Sequence, residues 1–172
     1  MLWLAGCYDA DGHGSIGGTA SGAHAAAALA ADGGDTPACA SQQPPKLEPR
    51  SVSLWPPNHK LHEIDVADCV SARDACDNPL RGEFVWASSD EPIDDIGDGH
   101  HAPDIGLSAD HEAVCVRSER QGPKDGRVYK LGVRVVDGNG NASEASCTIV
   151  VDHDQRGVVA ADSGEAYRVS FA

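Results

Sequence analysis

A chain of 172 residues is long enough for one ordinary domain with a tail and too short for two independent hydrophobic cores. Its formal net charge of -14, with 13 basic against 27 acidic side chains, argues against any nucleic-acid footprint, because phosphate neutralisation needs a basic patch. Six cysteines without a Cys-x-x-Cys pair read as disulfide stock in an oxidising compartment rather than as a zinc or redox motif.

Leu4-Ala5-Gly6-Cys7 has the Leu-small-Gly-Cys form of a bacterial lipoprotein cleavage site, at which Cys7 becomes the acylated first residue. Met1-Leu2-Trp3 lacks the positive and apolar regions of a complete export signal. Residues 1–7 are therefore either the remnant of a longer signal or a chance match in an Ala- and Gly-rich segment. No apolar run approaches the roughly 18 residues of a membrane-spanning helix, so membrane contact is expected only through a lipid on Cys7. Residues 8–46 are Gly, Ala, Ser, Asp and Thr with few large apolar side chains, which predicts a disordered linker. Its Ala23–Ala31 run is too short for a stable isolated helix, and Pro44-Pro45 stiffen its exit.

Beyond the prolines the pattern changes to a period of two. In 60–66 Ile64 and Val66 share a face, and Leu61 breaks the parity, which predicts a bulge near His62. In 82–87 Phe84 and Trp86 share a face. The loop that follows carries Asp90, Glu91, Asp94, Asp95, Asp98 and Asp104 among glycines, the hard oxygen ligands and flexible turns suited to a calcium ion. The alternative is a solvated acidic loop that discourages edge pairing.

Val114 and Val116 mark another strand in 113–117. The clearest strand is 127–137, with Tyr129, Leu131, Val133 and Val135 on one face and Lys130 and Arg134 on the other. Asp137-Gly138-Asn139-Gly140-Asn141 is a turn into 146–151, where Cys147, Ile149 and Val151 align. Residues 156–172 are read as a final edge strand, carrying Tyr167, Val169 and Phe171, or as a packed tail. Together these elements predict an all-β chain, an antiparallel sandwich of about seven strands over 47–155.

The ordered set of Leu54-Trp55-Pro56-Pro57-Asn58-His59-Lys60, Ser88-Ser89-Asp90-Glu91-Pro92, Gly97-Asp98-Gly99, Arg117-Ser118-Glu119-Arg120, Gly126-Arg127-Val128-Tyr129, Val136-Asp137-Gly138-Asn139-Gly140-Asn141 and Asp152-His153-Asp154-Gln155 resembles a bacterial group of Ig-like modules. That group is similar to hyalin-repeat and PKD-type domains of secreted and lipid-anchored surface proteins. The resemblance spans about 51–167 and implies extracellular adhesion or scaffolding without a defined ligand. A bridge between Cys69 and Cys147 would tie an early strand to a late one as in immunoglobulin domains, with Cys76 and Cys115 as the residual pair. Cys115 departs from the group's apolar strand residue.

Catalytic signatures are weak. His100-His101 beside aspartates offer zinc-type ligands, yet adjacent histidines point apart and no His-Glu-x-x-His occurs. No Gly-x-Ser-x-Gly is present, and Asp137, Asn139 and Asn141 lack the glycine and glutamate that would complete an EF-hand loop. His59 and His153 are expected to bond turns at the ends of the sandwich. Arg117, Glu119, Arg120 and Arg127 are expected to form an exposed ion-pair cluster contributing under about 1 kcal/mol per pair. Trp55 is read as an aromatic lid fixed by Pro56 and Pro57, with a stacking platform for sugar rings as the alternative. The expected function is a non-catalytic surface module that contacts a protein or glycan, the alternatives being a calcium-dependent carbohydrate-binding module and a metal-dependent hydrolase.

Overall fold

A computed structural model describes residues 39–93, 102–108, 111–154, 156 and 159–171. Among the described residues ten strands and one helical turn follow one another: β1 (Lys46–Pro49), β2 (Ser51–Leu54), β3 (Leu61–Asp65), α1 (Val66–Cys69), β4 (Val70–Arg73), β5 (Gly82–Ser89), β6 (Ile105–Leu107), β7 (Ala113–Arg117), β8 (Gly126–Val136), β9 (Ala142–Asp152) and β10 (Tyr167–Ser170). The chain is all-β, and the strand count exceeds the expected seven because continuous segments are split. At Arg50 the chain leaves β1, antiparallel to β4, and enters β2, parallel to β9. The turn α1 likewise separates β3, which pairs with β7, from β4.

The strands form a five-stranded sheet in the order β10-β5-β8-β9-β2, a three-stranded sheet β3-β7-β6, and the pair β1-β4. Period-two alternation along β8 sends Tyr129, Leu131, Val133 and Val135 inward and leaves Arg134 exposed. They join Phe84, Cys147, Ile149 and Val151 of the same sheet, and Ile64, Ile105, Val114 and Val116 of the three-stranded sheet, in one hydrophobic core. Each such side chain contributes about 1.5–3 kcal/mol when fully buried.

Two parity expectations are corrected. Phe84 is fully buried, but the register slips between Phe84 and Trp86, so Val85 is an extra residue and Trp86 turns to the outer face. The Val85 carbonyl accepts the Phe171 N–H at 2.9 Å, which ties the bulge to the strand beside it. No bulge forms near His62: β3 pairs with β7 in unbroken register, and Val66 opens α1. Leu61 and Ile64, on opposite faces of β3, are both buried, and β7 beside them is likewise buried on both faces.

Cys69 is bridged to Cys147 with a Cα–Cα distance of 5.1 Å, which ties α1 to β9 inside the core. Cys76 pairs with Cys39 and not with Cys115. The reason is position: Cys115 lies in the middle of β7 between Glu63 and Gly106, and is itself disulfide-bonded. Cys76 instead lies in the turn after β4, where the chain enters the fold. There the Asn139 side chain donates to the Cys39 carbonyl, and Asn141 Nδ2 donates to the Ser41 carbonyl at 3.1 Å. Residues 39–41 are thus tied to the turn after β4 and to the β8–β9 turn. Cys7 and the Ala23–Ala31 run lie outside the described residues. At the other end β10 is an edge strand antiparallel to β5, with Phe171 packed on the core.

Candidate functional site

The unusual chemistry of the fold sits where β8 begins. Gly126 has φ +137, and a Cβ there would lie 2.6 Å from both the Val151 carbonyl oxygen and Ala160 Cβ. Only glycine fits that approach. The next residue, Arg127, has the same parity as Tyr129, Leu131 and Val133, so the strand points a guanidinium into the end of the core, where its side chain is fully buried.

A buried cation must be paired and hydrogen-bonded. Arg127 Nε donates to Glu91 Oε2 at 2.9 Å, and Nη1 donates to Asp104 Oδ2 at 2.7 Å, Glu119 Oε1 at 3.3 Å and the Tyr129 hydroxyl at 3.0 Å. Nη2 reaches the Pro92 carbonyl at 3.3 Å. Burial opposes the charge on Arg127, but Tyr129, Glu91 and Asp104 outweigh it and hold the guanidinium above its ordinary pKa. Tyr129 in turn donates to the Arg117 carbonyl at 2.8 Å, and burial pushes its own pKa up.

Arg117, 2% exposed, is a second buried cation at the end of β7. It donates to the His59 carbonyl at 2.7 Å and to the Pro103 carbonyl at 2.9 Å, with Asp104 and Glu119 carboxylate oxygens 3.8 and 3.9 Å from its Nε. The cluster thus joins the β2–β3 loop, the exit of β5, the approach to β6, the end of β7 and the start of β8.

The expected ion-pair cluster therefore exists with a different character. Arg117, Glu119 and Arg127 are buried rather than exposed, and Glu91 and Asp104 complete the set. Arg120 is only partly buried, and its Nε has no hydrogen-bond partner among the described residues. The parity that singled out Tyr129 to Val135 also points Arg127 inward; its charge suggested a surface position instead.

Of the six residues read as calcium ligands, Asp94, Asp95 and Asp98 lie outside the described residues. Glu91 accepts from Arg127 and from the Gln121 N–H at 2.8 Å, and Asp104 faces both arginines. Asp90 caps backbone, taking the Val128 N–H at 2.8 Å and the Ser163 N–H at 3.1 Å. Among the described residues, three potential ligand atoms come within 4.8 Å of one another at Cys39, Asp74 and Cys76, but those two sulfurs are joined in a disulfide.

His100 and His101 also lie outside the described residues. His153 contacts the Gly122 carbonyl at 3.2 Å, and His59 Nδ1 approaches Glu119 Oε2 at 3.3 Å. Trp55 is not a lid: Leu54 enters the core, whereas Trp55 is 41% exposed at the same end of the molecule as Arg127. The Asp137 turn forms as its residues dictate, with Asp137 Oδ1 accepting the Asn139 and Asn141 N–H groups at 2.9 Å each. The Asn141 amide bonded to Asp137 holds that carboxyl below its ordinary pKa.

No family model, curated protein or solved structure matches the chain.

Proposed function

We propose that the chain is an Ig-like module without catalysis, secreted or held at the bacterial cell envelope, that works by contacting a protein or glycan. The observation that carries this reading is the Cys69–Cys147 bridge through the core, a bond that persists in oxidising compartments and is rare in a reducing cytosol. Tyr129 adds support: it stands near the start of a long central strand and its hydroxyl bonds an upstream carbonyl, as the corner tyrosine of immunoglobulin sandwiches does. The buried carboxylates and guanidiniums are engaged with one another, which favours a structural over a catalytic role for them.

Thiol labelling of the chain in its producing cells tests the compartment. Cys69 and Cys147 protected from alkylation until reduction is the expected result, and free thiols in the native protein would overturn it. The mass of the peptide carrying Cys7 separates lipid anchorage from secretion. Turnover of any substrate abolished by His101→Ala would replace this reading with the hydrolase.

Carbohydrate binding is the second reading, favoured by the exposure of Trp55. Glycan-array binding that is lost in Trp55→Ala would support it, and a melting midpoint unchanged by chelator would remove calcium from it.

A further inference from the structure

On the outer face of the five-stranded sheet, at the β10 edge, the fold completes a stack of indole, guanidinium and carboxylate. The Arg168 guanidinium lies 4.1 Å from the Trp86 ring centroid, and its Nη1 donates to Glu165 Oε2 at 3.1 Å, so one cation serves both groups. At the β2 edge of the same sheet two of these parts recur and the cation is missing. β2 runs parallel to β9 with Leu54 opposite Val151, both in the core, so alternation sets the next residues of the two strands, Trp55 and Asp152, side by side on the outer face. Ser53, one outward position earlier on β2, shares that face: its hydroxyl donates to Asp152 Oδ2 at 3.3 Å.

Trp55 is 41% exposed, and among the described residues no cation lies over its ring. Asp152 is part-exposed, and its Oδ1 is buried without a hydrogen-bond partner among the described residues. Its charge is met there only by the neutral Ser53 hydroxyl. A carboxylate partly withdrawn from water is costly until a donor or a cation compensates it.

We propose that Trp55, Asp152 and Ser53 form a docking site for an arginine side chain of a partner protein, whose guanidinium lies flat on the indole and donates an N–H to the Asp152 carboxylate. The inference rests on the reading of the chain as a contact module, and it names the chemistry that the partner presents. Arginine is selected over the other groups that stack on an indole. Its planar, weakly hydrated guanidinium offers N–H donors along its edge while its face stays on the ring, which an ammonium group cannot match. A neutral sugar ring stacks on tryptophan but leaves the Asp152 charge unmet, and an acidic sugar is repelled by it. The net charge of -14 draws a basic partner from a distance and raises the rate of encounter.

The full chain labelled with nitrogen-15 carries three tryptophans, Trp3, Trp55 and Trp86, and Trp55→Phe identifies the indole N–H signal of interest. It is titrated with a peptide of acetyl-Gly-Ser-Arg repeated three times, and with the same peptide carrying glutamine in place of arginine. We expect the arginine peptide to shift the Trp55 signal and to spare Trp86, which already carries Arg168, and the glutamine peptide to shift neither. Asp152→Asn should weaken binding of the arginine peptide by about threefold to fivefold. Glu144→Gln, which removes an exposed charge near the other end of β9, should change it by less than about twofold. An absent shift at Trp55 would overturn the proposal. So would equal effects of the two charge substitutions, which would mean attraction to the acidic chain as a whole. Cellohexaose or maltohexaose moving the Trp55 signal where the arginine peptide does not would also overturn it, while leaving the contact reading intact. If Asp152→Asn does not fold, the unmodified chain decides: equal shifts by the arginine and glutamine peptides would show that no charge is recognised at the site.

Discussion

Arg127 shows how a single charged residue becomes a structural element. Its position in the alternation of β8 leaves the side chain no route to water, so three carboxylates, a phenol and a backbone carbonyl gather around it. Replacing it leaves those carboxylates buried without their partner. Arg127→Ala is expected to cost about 3–5 kcal/mol, whereas Arg134→Ala, on the exposed face of the same strand, should change stability by under about 0.5 kcal/mol. Chemical denaturation of both variants checks the contrast, and equal costs would mean that the cluster is not an energetic unit.

At the level of the strand, β5 and β8 are fitted to each other through a glycine. The slip at Val85 turns Trp86 to the outer face, where its indole lies across Gly132: a Cβ on that residue would be 2.1 Å from Trp86 Nε1. On Trp86 rests the Arg168 guanidinium, 4.1 Å from the ring centroid, so the indole fastens the edge strand β10 to its neighbour. Gly132→Ala should displace the ring, cost about 1–3 kcal/mol and shift tryptophan emission to the red. An unchanged spectrum would show that the indole does not depend on that close approach. Strand alternation was legible in the sequence here, but the bulge was not. It is fixed by which neighbour takes the Val85 carbonyl, and that neighbour, Phe171, lies far along the chain.

Across the whole molecule, β8 separates two unlike ends by roughly 35 Å, from its eleven residues at about 3.3 Å each. One end receives the N-terminal segment, held by Cys39–Cys76 and by the Asn139 and Asn141 side chains; the other carries Trp55, His59 and the buried cluster. Removing the first bridge with Cys39→Ser and Cys76→Ser should cost about 2–4 kcal/mol. Mild reductant should open it before Cys69–Cys147, because Cys76 is exposed whereas Cys69 and Cys147 are at most 1% exposed. Mass mapping after timed reduction checks the order. Stability also depends on acid at this end. Asp74 and Asp137 are held below their ordinary values by hydrogen bonds, so their contribution is present above the unfolded pKa and is lost as pH falls through the folded one. Denaturant melts at stepped pH should therefore show stability falling on acidification below the unfolded value of 3.8, and a flat profile there would count against these turns.

Alternation of apolar side chains, turn chemistry at Asp137 to Asn141 and the supply of cysteines were enough to establish an all-β chain, the inner face of β8 and the form of its turn. Each is a local property, set by the two-residue repeat of a strand or by side chains bonding their own backbone. Tertiary structure alone decided that Cys76 meets Cys39, that Trp86 faces outward, that Trp55 stays outside the core, and that Glu91, Asp104 and Glu119 converge on Arg127. Those outcomes depend on which distant segments become neighbours, and on the cost of leaving a buried charge unpaired once they do.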